Sequence, residues 1–490
     1  MPSTDTTSAN ATLPAPVPSA VAAGLAQIVG PRWVKSRAAE LTAYDADGLP
    51  GYRATPSLVV LPGSRDEICA VVRLLAQHQI PFVPRGAGTG LSGGSLADGA
   101  VIVGLNRLTR IHNIDAGNRI AHVEPGVVNA SLARALAPFG LYYAPDPSSQ
   151  AACTIGGNVA ENAGGPHCLK YGVTLNHIAA LTVCLPDGEL VTLGSPVSEP
   201  DGYDLLGLFI GSEGCFGIAT DIWVRLLPLP PDVRTLLADF SSVTDAARAV
   251  SAIIATGIVP AALEMMDQAT IRAVEASIYA AGYPVDAAAV LLAEVDGLSI
   301  GLDSDVRVIE QCCRDAGARN VRIATSADDR AKLWQGRKKA FGALGRIASH
   351  LVVQDAVVPR TKLPEVLERI HAIGERHQVR VCNVFHAGDG NLHPNISYDA
   401  NDPAQAERVH AAMSEIMRAC IDVGGTITGE HGVGLDKIGY MDDLFSEPSL
   451  AAMCAVREVF DPEHRANPGK VVPVHSCREW NARWNLQGLP

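Results

Sequence analysis

Pro84-Arg85-Gly86-Ala87-Gly88-Thr89-Gly90-Leu91-Ser92-Gly93-Gly94-Ser95 follows one apolar run, Ile80 to Val83, and leads into another, Val101 to Leu105. Its glycines expose backbone N–H groups with no Cβ in the way, which is the chemistry needed to wrap a pyrophosphate. Gly88 to Gly93 matches the spacing GxGxxG, yet a Rossmann reading requires a helix to open at that point. Here Ser95-Leu96-Ala97-Asp98-Gly99 runs directly to the next strand. Upstream, Leu58 to Leu61 reads as a buried strand, and Ser64-Arg65-Asp66-Glu67 supplies a capping box. Ile68, Val71, Val72 and Leu75 then keep helical spacing, so residues 58–83 form a strand–helix–strand unit ahead of the glycine loop.

Downstream, strands are expected at Val101 to Leu105 and Ile120 to Val123, and a helix at Val128 to Leu136. Ala144-Pro145-Asp146-Pro147-Ser148-Ser149 is a turn set by proline. Two more clusters of small residues follow, Cys153 to Gly165 and Gly211 to Gly217, the latter before the apolar Ile218 to Leu227. Prolines 228, 230 and 231 mark a domain boundary. Beyond it strands and helices alternate, as in Leu236 to Phe240 and Val243 to Ala255, with fewer glycine clusters.

The 490 residues carry a net charge of −13 with 47% apolar side chains, the profile of a globular chain of more than one domain and a poor match for nucleic acid. No stretch approaches about 18 uninterrupted apolar residues. The first twenty residues, rich in Ser, Thr, Ala and Pro, lack the features of a signal peptide and read as a disordered tail, followed by a helix near Val21 to Val29. Eleven cysteines without a CxxC spacing predict reduced thiols in a cytoplasmic protein and no ferredoxin-type cluster.

Val381-Cys382-Asn383-Val384-Phe385-His386-Ala387-Gly388-Asp389-Gly390-Asn391-Leu392-His393-Pro394-Asn395-Ile396 holds an Asp-Gly dipeptide between apolar runs, a strong hairpin signal. With Asp389-Gly390 as a two-residue loop, His386 stands opposite His393 and Val384 opposite Asn395. Two imidazoles and a carboxamide then share one face, with the imidazole Cβ atoms roughly 5 Å apart. Such a pair is either structural or chelating. Glu430 and His431 lie in the glycine-rich Gly424 to Gly434; a regular strand would point them to opposite faces, and the glycines permit a bend. Arg337, in Trp334-Gln335-Gly336-Arg337-Lys338-Lys339, reads from its own surroundings as part of a solvated basic helix face.

PRGAGTGLSGGS at 84–95, YYAPDPSSQAACTIGGNVAENAGGPHCLKYG at 142–172, GSEGCFGIAT at 211–220 and NPGK at 467–470 resemble the vanillyl-alcohol oxidase type of FAD-linked oxidase. That family includes D-lactate and D-2-hydroxyglutarate dehydrogenases. The resemblance implies an α+β protein: a two-subdomain FAD-binding domain, an α+β substrate (cap) domain, and a C-terminal segment returning to the flavin. On this chain the expected parts are a tail at 1–20, an N-terminal helical extension at 21–54, the FAD-binding domain at 55–230, the substrate domain with a metal site at 231–450, and the returning segment at 451–490.

The resemblance further implies that Arg85, Gly86, Ala87, Gly88, Thr89, Gly90 and Ser92 hold the pyrophosphate. Pro145, Asp146, Ser148, Ser149, Gly156, Gly157 and Asn158 would lie along the ribityl chain and ring, with Asn162 and Gly165 nearby. Glu213 and Ile218 would sit at the adenosine or diphosphate end, and Asn467 near the flavin. Relatives with covalent flavin carry a His in the glycine loop or a Cys beside the ring; this loop has no His, so FAD is expected to be non-covalent, with Cys153 the thiol closest to the ring segment.

His386, His393 and Glu430 would bind one divalent metal, zinc first by donor type, with manganese and iron as alternatives. His431 would take the substrate proton, Arg337 the carboxylate, and Asn395 would orient the substrate. The implied reaction is hydride transfer from a 2-hydroxy acid to FAD. The absence of a cation in Leu351 to Asp355 favours a small monocarboxylate such as glycolate or D-lactate. A second FAD-binding-like subunit and an iron–sulfur subunit would carry electrons to a quinone at the inner face of the cell membrane. The alternative is a stand-alone D-lactate dehydrogenase.

Overall fold

In the computed structural model, residues 17–197 and 202–473 are described. Leu58–Val60 and Phe82–Arg85 are strands flanking the helix Arg65–Gln77, whose buried face is Ile68, Val71, Val72 and Leu75. Ser64 Oγ accepts from the Glu67 N–H at 3.2 Å, but the Glu67 carboxylate turns to the Gly63 N–H at 2.6 Å, so the expected box closes one residue early. The two strands are not neighbours. Val101–Gly104 lies between them, parallel to both, and Val34–Lys35 adds an antiparallel edge. The glycine loop therefore leaves one buried parallel strand and returns to the next.

A second, antiparallel sheet runs Ile111–Asp115, Ile120–Val123, Ile218–Arg225, Ile178–Cys184, Leu190–Gly194. The small-residue stretch at 153–165 contains the helix Ile155–Glu161, capped by Thr154 Oγ1 on the Gly157 N–H at 3.2 Å. Its two glycines disguise it in the sequence, since glycine disfavours helix interiors.

The third sheet, antiparallel throughout, begins after the prolines. Its order is Ala318–Ile323, Asp232–Phe240, Ala289–Gly297, Ala262–Asp267, Val381–His386, Asn391–Leu392, Ala356–Val357. Helices Val243–Ala255, Ser299–Asp315, Leu363–His377 and Pro403–Asp422 cover it over a core that includes Phe240, Met265, Leu291, Phe385 and Ile416. The chain then returns to the first sheet, where Ala466 bridges Phe82 and Asn467 Nδ2 donates to the Gly94 carbonyl at 2.8 Å.

Three expectations change. The first helix is Ser19–Val29, so the tail cannot extend to residue 20; residues 1–16 and 474–490 lie outside the described residues. Cys454 is disulfide-bonded, a departure from the reduced thiols expected throughout. In the hairpin, His386 pairs with Asn391 and Cys382 with Asn395, so the loop is Ala387–Gly390 and not Asp389-Gly390 alone. The slip is two residues, which preserves the face: His386 and His393 are diagonal neighbours on one side, with ring centroids 5.2 Å apart.

Candidate active site

His386 ends the strand Val381–His386 and is paired directly with Glu264 on Ala262–Asp267. That register aims the Glu264 carboxylate at the imidazole, Oε1 to Nδ1 at 2.7 Å. The Nδ1 of His393 faces the Gln354 carbonyl at 3.0 Å. With both Nδ1 atoms engaged, both Nε2 atoms turn to one oxygen, Glu430 Oε1, at 3.1 and 3.3 Å. This is how a ligand set is oriented from behind. Burial would raise the Glu430 carboxyl, but the two imidazoles outweigh it and hold the group well below the usual carboxylate range.

Glu430 and His431 lie in a bend, as the glycines allow. Asp355 Oδ2 organises that bend: it accepts from the N–H groups of Gly429, Glu430 and His431 at 3.0, 3.1 and 2.9 Å, and from Lys437 Nζ at 3.2 Å. His431 stacks on His393, centroids 5.0 Å apart, and its Nδ1 is buried without a partner. Burial pushes its imidazole down to about 4, so it is neutral near pH 7.

These side chains form one wall of a cavity of about 590 Å³. The opposite wall is Gly86 to Leu91, with Ser148, Ser149, Cys153, Gly157, Asn158, Glu161 and Glu213 between. Lys338, Phe341, His350, Leu351 and Val353 close the end beside the histidines.

Residues 56–194 match the family described as FAD binding domain, and residues 229–471 match FAD linked oxidases, C-terminal domain. The chain is 47% identical over 445 residues to glycolate oxidase subunit GlcD of Escherichia coli (strain K12), covering 90% of this chain and 89% of that one. It is 39% identical over 449 residues to GlcD of Bacillus subtilis (strain 168), covering 91% and 95%. It is 35% identical over 432 residues to D-lactate dehydrogenase of Anaerostipes hadrus, covering 86% and 90%. The chain belongs to the FAD-linked oxidases. Its fold is of the vanillyl-alcohol oxidase type: p-cresol methylhydroxylase superposes with a TM-score of 0.80 at 16% identity, covering 95% of this chain and 98% of that one. For the 4-ethylphenol oxidase from Gulosibacter chungangensis the TM-score is 0.77 at 20% identity, covering 95% and 100%. The protein is an FAD-dependent oxidoreductase.

As an FAD-linked oxidase it has a cavity suited to a polar, extended cofactor. Asn158 Nδ2 and Glu161 Oε2 are buried there without protein partners, and unmet buried polar groups in a cavity call for a ligand. Of the residues expected on the cofactor, Gly86, Ala87, Gly88, Thr89, Gly90, Ser148, Ser149, Gly157, Asn158 and Glu213 line the cavity. The others lie behind it. Arg85 braces the loop from beneath, Nη2 to the Ala46 carbonyl at 2.6 Å and Nη1 to the Tyr44 carbonyl at 3.3 Å. The Ser92 carbonyl accepts from Leu435 N–H at 2.8 Å. Asp146, following Pro145, pairs with His167 at 3.0 Å, and Asn162 Oδ1 accepts from Leu175 N–H at 2.9 Å. Gly156 and Gly165 pack against Pro125 and Asp146, and Ile218 is core. Asn467 Nδ2 ties Gly94 to the Glu213 carbonyl.

Arg337 is not on a solvated face. It is 1% exposed, absent from the cavity wall, and its Nε donates to Glu264 Oε2 at 2.7 Å. Asn395, fully buried, donates from Nδ2 to the His393 carbonyl at 2.5 Å and likewise stays off the wall. Sequence reasoning missed Glu264, Asp355 and Lys338. A lone carboxylate inside Ala261 to Met266, and another in Leu351 to Val358, were the available signals, because a buried charge needs a partner.

Proposed function

We propose that this FAD-linked oxidase converts glycolate, or another small D-2-hydroxy monocarboxylate such as D-lactate, to the 2-oxo acid. The observation that carries the reading is the convergence of His386, His393, Glu430 and His431 on the cavity wall facing the glycine loop. The two relatives named glycolate oxidase subunit GlcD support glycolate. The A. hadrus relative supports the second reading, a stand-alone D-lactate dehydrogenase.

When bound, FAD supplies a two-electron acceptor, and a divalent ion on His386, His393 and Glu430 supplies a Lewis acid, zinc by donor set with manganese or iron as alternatives. The three donor atoms lie within 4.8 Å of one another, and the Nδ1 contacts described above turn both Nε2 atoms toward Glu430, where such an ion would be held. The chain's own groups place the substrate and manage its proton. Lys338 in the wall, 3.4 Å from Asp146, supplies positive charge for the carboxylate, while Arg337, off the wall, is held by Glu264. Neutral His431, with Nδ1 unengaged, is poised to take the hydroxyl proton. Asn395 positions His393 through its carbonyl. Phe341, Leu351 and Val353 place apolar side chains at the end beside the histidines, which suits a small acid. FAD is held non-covalently: burial pushes the Cys153 thiol up, away from the thiolate that bond formation needs.

Among the described residues no helix is long and apolar enough to cross a membrane. Electrons leave through partners, a second FAD-binding-like subunit and an iron–sulfur subunit, at the inner face of the cell membrane; the word subunit in the names of the two GlcD relatives supports the partner part of this reading. The test is the anaerobic visible spectrum of the purified chain with glycolate, D-lactate, L-lactate and D-2-hydroxyglutarate added separately. Bleaching by glycolate or D-lactate and not by L-lactate is expected. Failure of both to reduce metal-replete, flavin-loaded protein would overturn the substrate assignment, and a D-lactate preference with no copurifying subunits would favour the second reading.

A further inference from the structure

The proposed mechanism gives Glu161 no role, yet its carboxyl lies where the two halves of the site approach each other closely. It is the last residue of the helix Ile155–Glu161 and lines the cavity. A Cβ placed on Gly94 would lie 3.0 Å from its Oε1, and one on Gly432 would lie 2.5 Å from its Oε2. The carboxyl thus sits where the glycine loop and the His431 loop approach each other too closely for side chains. Its Oε2 is buried and makes no hydrogen bond.

The surrounding charges are already engaged. Glu213 accepts from the Val433 and Gly434 N–H groups at 2.6 and 2.8 Å; burial raises its carboxyl, and these two N–H groups oppose that rise. Asp47 accepts from Leu49 N–H at 2.9 Å and Ser95 Oγ at 3.3 Å. Lys437, the cation on this side, gives its Nζ to Asp355, and Lys470 Nζ donates to the Leu96 carbonyl at 2.8 Å. Burial, with Glu213 and Asp47 adding to it, moves Glu161 well above the usual carboxylate range. Ionised, Glu161 would add a further negative charge beside Glu213 and Asp47, facing a cofactor that carries a doubly charged pyrophosphate. Protonated, it has one O–H donor, and its Oε2, which makes no hydrogen bond to the protein, lies in the cavity wall.

We propose that Glu161 meets bound FAD as an uncharged carboxylic acid, donating a hydrogen bond to an acceptor atom of the cofactor and joining it to the seam between the glycine loop and the His431 loop. Glu161 is then a cofactor-binding residue whose carboxyl proton is part of the FAD site. Loss of that proton places a third carboxylate against an anion, and FAD binding weakens.

The experiment is FAD titration of the full-length apoprotein, followed by quenching of flavin fluorescence between pH 6 and pH 9, for the parent, Glu161→Gln and Glu161→Ala. Glutamine retains a donor and cannot ionise. The expected result is a parent Kd that rises with pH, a Glu161→Gln Kd within about threefold of the parent at pH 6 and flat to pH 9, and a Glu161→Ala Kd weaker by roughly tenfold at pH 6, the worth of one hydrogen bond to a charged group. Equal affinities and equal pH slopes for all three proteins overturn the proposal. Where a variant does not fold, infrared difference spectra of the parent on adding FAD decide: a protonated-carboxyl band that shifts supports the assignment, and its absence refutes it.

Discussion

Glu264→Gln is the sharpest probe of how the site is built. Glu264 is fully buried and holds two groups at once: Arg337 through Oε2, at 2.7 Å from Nε, and His386 through Oε1, at 2.7 Å from Nδ1. Burial would raise its carboxyl, but Arg337 and His386 together keep it below its ordinary value, so it is ionised. Glutamine preserves the shape and removes the charge, leaving the Arg337 guanidinium buried without its counter-ion. Removing one partner of a buried pair costs about 3–5 kcal/mol. The glutamine amide keeps one acceptor oxygen where two donors, Arg337 Nε and His386 Nδ1, need one each, so the imidazole is held less firmly, and losses of this kind weaken metal affinity by about 10- to 100-fold. Unfolding should be followed by circular dichroism in urea, comparing midpoints because a chain with more than one domain need not unfold in one step. Metal retention is measured by dialysis against graded chelator and elemental analysis. The double variant Glu264→Gln/Arg337→Met removes the stranded charge and should be less destabilised than the sum of the singles by about 1–3 kcal/mol, while metal affinity stays low. A Glu264→Gln protein with the parent midpoint and the parent metal content would refute the argument, because it would mean that neither Arg337 nor His386 depends on this carboxylate.

His431→Ala should abolish turnover while FAD content stays at the parent level by absorbance; loss of FAD would assign the residue a structural role instead. Glu430→Gln should lose metal and activity together while keeping the flavin spectrum, since Glu430 faces both imidazoles and the glycine loop is untouched. His167 reaches Asp146 at 3.0 Å and Glu294 at 3.5 Å; burial opposes its charge, but the two carboxylates raise it to about 10 from an ordinary value near 6.5. Its stabilising effect is therefore complete below about pH 6.5 and disappears as pH rises to about 10, so the unfolding-midpoint gap between the parent and His167→Asn should be wide at pH 6 and nearly closed at pH 10.

What the sequence revealed, and what it concealed, divides along the distance over which the information acts. The strand–helix–strand unit was readable because its cap, its apolar spacing and its flanking runs all lie within about two dozen residues, and the structure changes only the closing half of the cap. The glycine loop was readable for the same reason, together with the fact that no helix follows it. The Asp-Gly turn shows where such reasoning fails. Gly390 adopts a φ of +81°, and a Cβ there would lie 2.2 Å from the Val358 carbonyl oxygen, so that glycine answers to a neighbouring strand as well as to the turn. Local turn chemistry does not contain that neighbour, and the loop opened by two residues, Ala387 and Gly388, on the side of the first strand. The error was harmless because side chains alternate with a period of two.

Arg337 is the opposite case. Nothing within several residues of Trp334-Gln335-Gly336-Arg337-Lys338-Lys339 distinguishes the buried guanidinium from the lysine beside it that lines the cavity. The distinction is made by Glu264, 73 positions away, on a strand whose pairing with Val381–His386 also aims the metal-facing histidine. One antiparallel register thus fixes the arginine, the imidazole tautomer and the direction of the open ligand positions together. A change anywhere along Ala262–Asp267 that shifts that register should therefore disturb metal binding and the carboxylate end of the cavity as a unit, although none of its residues lines the cavity wall.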